Sequence, residues 1–357
     1  MSRAASQNRP GTGRRLPARF SAFLPVSSAV ISSALVADIA LLLAGSGRDV
    51  LVLDWSLGEP SVRSCLRRVP ARRLPVTELA EPVRDALRRT FGSTGEPDDD
   101  SDGFDERHGR WWRHRMHALP GALDVAGLAD PSPVAVRAPD LQTDRQIQQL
   151  AAALRAGCPY DHVLLHGLRP GAASGVELVA GVADTAVVTV AAVPDALDTA
   201  ARTAAELLGR RPYDLDLVAA SIDVGGNGTG RGGGHELTAR IFADLTRARA
   251  VGPAVSVVDV AYGVESAAGE ALTVLIDAES PAGQDRRRLA ELVAGGTGEI
   301  PALPAAVRGH YRHVLGDPAG AGTYWLAYAP RDRSWADRIA GWLRDAGVPT
   351  RRYPRAG

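Results

Sequence analysis

The stretch that decides the fold is FSAFLPVSSAVISSALVADIALLL, residues 20–43, which passes through a Gly-Ser-Gly turn into RDVLVLDWSLGEP, residues 48–60. Short apolar runs at 20–24 and 50–54 flank a longer apolar run of helical length. Continuous apolar strands on either side of a helix are typical of a parallel sheet whose two faces are both covered. The stretch therefore predicts a strand, a helix and a second strand that together open an α/β domain.

The rest of the chain continues this alternation. Further apolar, strand-like runs occur at 122–125, 134–137, 163–166, 186–191 and 215–222. Helix-like runs lie between or before them at 76–91, 141–156 and 196–208. Strands separated by helices imply a mostly parallel sheet with helices on both faces. We therefore predict an α/β fold of three layers.

Composition limits the chemistry. The 357 residues carry 41 basic and 41 acidic side chains, so no global charge attracts nucleic acid or an anionic membrane. The sequence contains no lysine, which excludes Schiff-base chemistry and a phosphate-loop lysine. The two cysteines, Cys65 and Cys158, are too few for a disulfide framework and fit a reducing cytoplasm. We expect a cytoplasmic protein.

The apolar stretch 20–44 also permits a competing interpretation, because arginines precede it as they precede a signal peptide or membrane anchor. Pro25, several serines and Asp38 interrupt the stretch, and a charge in mid-membrane is costly. The run at 50–54 is a second apolar strand, and a parallel sheet would place it beside the first. A buried strand and helix are therefore the favoured account, with no membrane association.

The order of segments resembles the ParA/MinD-type ATPases. The run ALLLAGSGRDVLVLDWSLGEPSV resembles the actinobacterial branch whose loop reads Lys-Gly-Gly-Val-Gly-Arg-Thr and whose next strand ends in Val-Asp-Trp-Asp-Leu-Glu-Ala-Pro. YDHVLLHGLRPG, GVADTAVVTVAAVPDALDTAA and ELVAGGTGEIPALP are similar to later family segments in the same order. The resemblance implies a P-loop NTPase-like sandwich.

The end of the chain resembles a different domain. YWLAYAPRDRSWADRIAGWLRDAGVPT is similar to the first strand and helix of a TIR domain, and the glutamate of NAD-cleaving TIR enzymes would lie on a later helix. ParA/MinD-like and TIR domains occur together in large proteins linked to gene clusters for peptides ending in Phe-x-Ser-x-x. The resemblance therefore implies a short, truncated TIR-like βα fragment without NADase activity.

These segments define the predicted domain organisation. We expect a disordered basic tail, a degenerate ParA/MinD-like domain that contains a disordered acidic insert and a flexible glycine loop, a linker, and the TIR-like segment. In that order the ranges are 1–19, 20–300 with the insert at 92–109 and the loop at 225–234, 301–322, and 323–357.

The functional residues that the resemblance would carry over are largely missing. A phosphate loop needs glycines whose N–H groups face phosphate oxygens, a lysine for charge, and Ser or Thr for magnesium. At the glycine positions stand Ser28, Ala29 and Ile31, with Val30 between the last two. The two lysine-type positions hold the neutral residues that follow: Ser27 and Ser32.

The hydroxyl and carboxylate positions complete this comparison. Ser33 keeps a hydroxyl, and Asp54 keeps the carboxylate that ends the second strand. Ser56 and His166 replace the two other family aspartates. The resemblance therefore implies a pseudo-ATPase with no catalytic residue, cofactor or metal, in which the ten positions from Ser27 to His166 are vestigial. The alternative is a nucleotide-binding protein or ATPase that uses an unconventional pocket around Ser33, Asp54 and His166.

Two other motifs invite a site. Gly228, Gly230 and Gly233 satisfy G-x-G-x-x-G, but the motif lies late in the domain and lacks the expected acidic residue, which favours a surface loop. RWWRHRMH, residues 110–117, combines arginine, tryptophan and histidine as nucleic-acid or metal sites do. A solvated helix that caps the neighbouring acidic insert is the simpler interpretation.

Function then rests on contact with another protein. The resemblance implies an interaction or assembly module in a regulatory, peptide-biosynthesis or TIR-linked defence system. Its partner would be an active relative or a TIR or repeat protein. The resemblance also permits a dimer of this chain. A decaying gene fragment is the remaining alternative.

Overall fold

The structure is a computed structural model. It describes residues 17–26, 29–54, 62–66, 71–73, 111–116, 119–128, 152, 155, 158–167, 173–191, 194–223, 233–248, 255–261, 272–276, 278–296, 298–309, 324–328, 333–345 and 350–354. The helix predicted at 76–91, the insert at 92–109 and the strand at 134–137 lie outside these residues. So do residues 1–16 of the predicted tail, 225–232 of the glycine loop and 310–322 of the linker. Of the helix predicted at 141–156, only residues 152 and 155 are described, and both are helical.

Eleven strands are described. They are β1 (Arg19–Pro25), β2 (Val50–Asp54), β3 (Ala71–Arg73), β4 (Trp111–Met116), β5 (Leu123–Leu128), β6 (His162–His166), β7 (Thr185–Ala191), β8 (Asp216–Asp223), β9 (Ser256–Ala261), β10 (Tyr324–Tyr328) and β11 (Thr350–Pro354).

The helices alternate with these strands. They are α1 (Ala29–Gly45), α2 (Val62–Leu66), α3 (Ala173–Val182), α4 (Pro194–Arg210), α5 (Gly233–Ala248), α6 (Thr273–Ile276), α7 (Pro281–Val293) and α8 (Arg333–Asp345). A helical turn follows at 305–309, between α7 and β10.

Nine strands form one sheet in the order β3-β4-β5-β2-β6-β1-β7-β8-β9. All neighbouring pairs from β5 to β9 are parallel, and only β3 with β4 and β4 with β5 are antiparallel. Buried clusters cover both faces: α1, α2, α6 and α7 contribute to one, and α3, α4 and α5 to the other. The predicted three-layer, mostly parallel α/β fold is confirmed.

The apolar stretch that opens the chain is the centre of this core. β1 alternates between the two clusters, with Phe20, Ala22 and Leu24 facing one side and Phe23 the other. Every residue of α1 from Ser32 to Ala44 is buried, which explains an apolar run without an amphipathic pattern. Among the helices that the structure describes, none is both long and apolar enough to cross a membrane.

Asp38 is the one charge in the buried part of α1, and it has a specific partner. Arg286 on α7 donates from Nε to Asp38 Oδ2 at 2.8 Å, and both side chains are 1% exposed. The Val274 N–H donates to Asp38 Oδ1 at 3.3 Å, and Arg286 also donates to the Ala282 carbonyl at 3.0 Å. Burial raises the pKa of Asp38, and the guanidinium opposes this rise. The ion pair therefore holds α1 against α7 inside the apolar layer.

Residues 301–309, which we assigned to a linker, pack against the main core. Leu303 and Val307 are buried in the same cluster as α1 and α7. Val307 belongs to the short helical turn at 305–309, and Leu303 lies just before this turn. At the other end, β1 begins at Arg19, the last residue of the predicted tail. The folded domain thus extends beyond 20–300 at both ends.

The RWWRHRMH segment contains a strand that lies next to the edge strand β3, which corrects our expectation of a helix. Trp111–Met116 forms β4 and pairs antiparallel with both β3 and β5. Arg115 makes a bidentate ion pair with Asp124, at 2.7 Å from Nε and 2.9 Å from Nη2. Tyr160 donates its O–H to the same buried carboxylate. Arg115 of this segment therefore links β4 to the neighbouring strand β5.

The terminal segment contains the strand and helix that we predicted, followed by a further strand. β10 and β11 pair in parallel across α8, so the three elements form a βαβ unit. Ala336 and Ala340 are buried, whereas Trp335 is 56% exposed and lies under the Arg338 guanidinium, 4.9 Å from the ring centre. Whether this unit is a TIR fragment stays a prediction.

Two glycines should respond in opposite directions to alanine. A Cβ on Gly121 would lie 2.1 Å from the Arg48 carbonyl oxygen, whereas a Cβ on Gly209 in α4 would have no atom within 4 Å. We expect Gly121→Ala to lower the free energy of unfolding by about 1–3 kcal/mol, because the backbone must move. Gly209→Ala should raise it by about 0.5–1 kcal/mol. Urea unfolding followed by circular dichroism measures both, and similar values for the two variants would contradict the packing at Gly121.

Candidate functional site

The candidate site lies where the connections of the sheet diverge. β6 and β1 are neighbours, yet the chain leaves β1 toward β2 on one side and leaves β6 toward β7 on the other. In open α/β sheets, ligands bind beyond the carboxyl ends of the strands at such a switch point. Here α1 follows β1, while Asp54 and His166 are the last residues of β2 and β6. The sheet therefore brings them to one end.

Three predicted positions meet at this end, and we call them the buried triad: Ser33, Asp54 and His166. Asp54 and His166 are direct partners in the β2–β6 register, and His166 Nδ1 lies 3.0 Å from Asp54 Oδ1. The other ring nitrogen, Nε2, lies 3.3 Å from Ser33 Oγ. The three residues are at most 2% exposed. Each ring nitrogen of the histidine thus faces a different oxygen.

A backbone amide fixes the carboxylate from its other side. The Val62 N–H, at the start of α2, donates to Asp54 Oδ2 at 2.7 Å. One carboxylate therefore joins β2 to α2 and, through His166, to β6 and α1. With Asp54 accepting at Nδ1–H, His166 Nε2 is the nitrogen that accepts from the Ser33 hydroxyl. This tautomer gives every group of the triad a compatible role.

Of the remaining predicted positions, some belong to the described residues and others do not. Ser27, Ser28 and Ser56 lie outside the described residues. Ala29, Val30 and Ile31 are the first residues of α1, so helical backbone begins within the segment that aligns with a phosphate loop. Ser32 follows them and is buried, and within the described ranges its hydroxyl has no hydrogen-bond partner. Of the G-x-G-x-x-G motif, only Gly233 is described, as the first residue of α5.

Sequence reasoning placed Ser33, Asp54 and His166 in one pocket but did not see how they bond. The strand ends gave their common location, since carboxyl ends of parallel strands share an edge. The pairing of Asp54 with His166 depends on the register between β2 and β6, which no local pattern determines. The contribution of Val62 is a backbone contact and has no signature in side-chain chemistry.

Comparison with known proteins gives a likeness of structure without one of sequence. No family model and no curated protein matches the chain. The solved structure of the septum site-determining protein MinD complexed with Mg-ADP from Pyrococcus horikoshii OT3 matches with a TM-score of 0.50 at 13% identity, over 79% of this chain and 98% of that one.

Two further structures are similar to this chain at lower scores. The MinC:MinD cell division protein complex of Aquifex aeolicus matches at a TM-score of 0.47 and 15% identity, over 80% of this chain and 100% of that one. A ParA family ATPase from Chlorobium tepidum TLS matches at 0.44 and 14%, over 76% and 98%. At these identities a likeness shows only a fold, and the fold of this chain is similar to that of MinD from Pyrococcus horikoshii.

Proposed function

We propose that this chain is a pseudo-ATPase of the MinD fold that acts as a protein-interaction or assembly module and hydrolyses no nucleotide. One observation carries the proposal: the side chains at the former magnesium and phosphate positions bond to one another. His166 lies between Ser33 and Asp54 at 3.3 and 3.0 Å. Groups that a nucleotide site would turn toward Mg²⁺ and phosphate are thereby occupied within the protein.

The charge balance of the site supports the same proposal. Phosphoryl transfer depends on positive groups that stabilise the charge of the phosphates. This chain has no lysine, and the two lysine-type positions hold Ser27 and Ser32. Arginine supplies charge elsewhere, but its planar guanidinium does not fill the space of a compact ammonium. The helical backbone from Ala29 onward supports it further, because a phosphate loop needs a non-helical cradle.

A retained frame with an altered site favours function by contact. The parallel sheet and both helix layers are present in the described residues, so the altered residues at the site are compatible with the fold. The partner we propose is a protein, such as an active relative of the same fold or a TIR or repeat protein. The competing candidate, a nucleotide-binding pocket around the buried triad, is favoured by the grouping of those residues and is separated by the experiment below.

Titration calorimetry of the full chain with ATP and MgCl₂ tests the proposal. We expect no heat beyond that of dilution, because the site lacks its positive charge and its carboxylate already bonds to His166 and Val62. His166→Asp, which restores an acidic residue at that position, should still bind no ATP, since the lysine positions stay neutral. An active MinD-type ATPase serves as the positive control. Saturable micromolar binding to the wild-type chain would contradict the pseudo-ATPase and favour the unconventional pocket.

Sedimentation tests the second half of the proposal. A module that works by contact without nucleotide should form the same assemblies in nucleotide-free buffer and with ATP and Mg²⁺. We expect identical sedimentation profiles for the chain with a candidate partner under both conditions. A partner bound only in the presence of ATP would contradict the proposal.

A further inference from the structure

The order of the hydrogen bonds in the buried triad suits a second kind of chemistry. A serine, a histidine and an aspartate are joined in series through the two different nitrogens of one imidazole. A nucleophilic serine needs this order, with a general base in reach of its hydroxyl and a third group that orients the base.

We propose that Ser33 is an activated nucleophile that accepts an acyl group from a small ester. His166 is the general base, and Asp54 is a positioning residue that holds the imidazole with Nε2 toward Ser33. This inference goes beyond the proposed function, because it concerns acyl transfer and needs neither nucleotide nor partner. It holds or fails independently of the calorimetry described above.

The position of Ser33 in α1 suits this chemistry. Side chains of a helix tilt toward its N-terminus, so the Ser33 hydroxyl leans toward the first turn of α1, which begins at Ala29. The N–H groups of a first turn lack acceptors within the helix and carry its positive dipole end. A carbonyl oxygen that becomes negative during attack would be stabilised there, as in oxyanion holes. The helix start supports the site, while the buried triad defines it.

The reaction balances with the residues that are present. Ser33 Oγ attacks the ester carbonyl while its proton passes to His166 Nε2, and the resulting imidazolium is stabilised by Asp54 at Nδ1. Collapse of the tetrahedral intermediate breaks the bond to the alcohol, which leaves with the proton from Nε2. A water then attacks the acyl-serine and gives a proton to Nε2. The carboxylic acid departs as this proton returns to Ser33 Oγ.

Burial decides the size of the acyl group. Ser33 is fully buried and His166 is 1% exposed, so the proposal is limited to small acyl groups such as acetyl. The Asp54 carboxylate is held from both sides and cannot swing away from the imidazole without losing the Val62 bond. A bulky aromatic ester should therefore react far more slowly than an acetyl ester of the same leaving group.

The experiment uses p-nitrophenyl acetate with the full chain. We expect a burst of p-nitrophenolate that approaches one equivalent per chain, a mass increase of one acetyl group, and acetyl on Ser33 in peptide mapping. The chain has no lysine, which removes the commonest competing acceptor. Ser33→Ala should abolish the burst, and His166→Ala should slow it on the order of 10²-fold, with partial rescue by added imidazole.

Ser21→Ala is the matched control. Ser21 is also fully buried, but its hydroxyl faces the Val293 carbonyl at 3.5 Å instead of a histidine. The burst should survive in this variant. For Asp54→Asn, we expect a slower burst and the loss of a downfield proton resonance from the Nδ1–H bond, which a merely structural change would not remove selectively. Circular dichroism confirms that each variant is folded.

The outcomes separate clearly. Acetyl on Ser33, dependence on His166 and survival in Ser21→Ala support the inference. A folded wild-type chain that shows no acetylation overturns it. Acetylation that persists in folded Ser33→Ala, or that maps to Cys65, Cys158 or the N-terminus, also overturns it. If Ser33→Ala does not fold, the peptide map and the imidazole rescue of His166→Ala decide.

Discussion

Arg286→Met should lower the free energy of unfolding by about 3–5 kcal/mol, the largest effect that we expect from a single substitution in this chain. The variant keeps an apolar side chain of similar length in α7 but leaves the Asp38 carboxylate in an apolar layer without its 2.8 Å partner. The raised pKa of Asp38 would rise further, because only the backbone hydrogen bonds of Val274 and Thr273 would still oppose the effect of burial. Urea unfolding at neutral pH measures the loss.

A neighbouring arginine provides the matched control. Arg287 is the next residue of α7 and pairs with Glu279 at 3.6 Å, but the glutamate is 66% exposed. We expect Arg287→Met to change stability by less than about 1 kcal/mol, since exposed pairs contribute little. The double variant Asp38→Leu with Arg286→Met should recover much of the loss, because it removes both buried charges. Equal losses for Arg286→Met and Arg287→Met would contradict the role of the buried pair.

His162 should make stability depend on pH. Burial, together with the charges of Arg48 and Arg19 and against the opposing charge of Asp161, lowers the pKa of this histidine to about 4. Arg48 also donates to its Nε2 at 3.2 Å. Among the described residues, its Nδ1 has no hydrogen-bond partner. The folded chain therefore resists protonation that the unfolded chain, with a pKa near 6.5, accepts readily. His162 therefore does not reduce the free energy of unfolding above about pH 6.5. As the pH falls from 6.5 to 4, the unfolded chain binds the proton first and the free energy of unfolding decreases.

The size of this effect follows from the difference between the two pKa values. About 3 kcal/mol of stability should be lost across the window, roughly 2 kcal/mol of it by pH 5. His162→Gln keeps an oxygen that can accept from Arg48 and does not titrate. We expect the difference between the wild-type and variant unfolding free energies to change with pH by this amount. Parallel curves from pH 7 to 4 would contradict the lowered pKa.

The fold was predictable because its signals are strong and local. Buried parallel strands such as β2, β6 and β7 are continuous apolar runs, and the helices between them are of ordinary length. The antiparallel edge was not predictable. β4 is a strand because β5 and β3 offer it hydrogen bonds, whereas its own sequence of arginine, tryptophan and histidine has no clear period.

The site was predictable in membership and not in chemistry. Strand ends identified Asp54 and His166, and the helix after β1 identified Ser33. The bonds among them depend on register and on helix placement, which act across 112 residues for Asp54 with His166 and 133 for Ser33 with His166. Arg286 was missed for the same reason, since its partner Asp38 lies 248 residues away. Contacts of this kind arise from tertiary packing, so no spacing pattern in the sequence predicts them.

The central place of β1 also affects how the chain is made. β1 is synthesised before β6 and β7, yet it lies between them in the sheet, and the bond from the Phe20 N–H to Asp184 joins residues 164 apart. The apolar residues of β1 therefore have no strand neighbour until β6 and β7 have been synthesised. Sheets with long-range parallel pairing fold slowly and pass through intermediates that expose apolar surface and tend to aggregate. Recombinant production should therefore benefit from slow translation at low temperature and from chaperones that hold nascent chains.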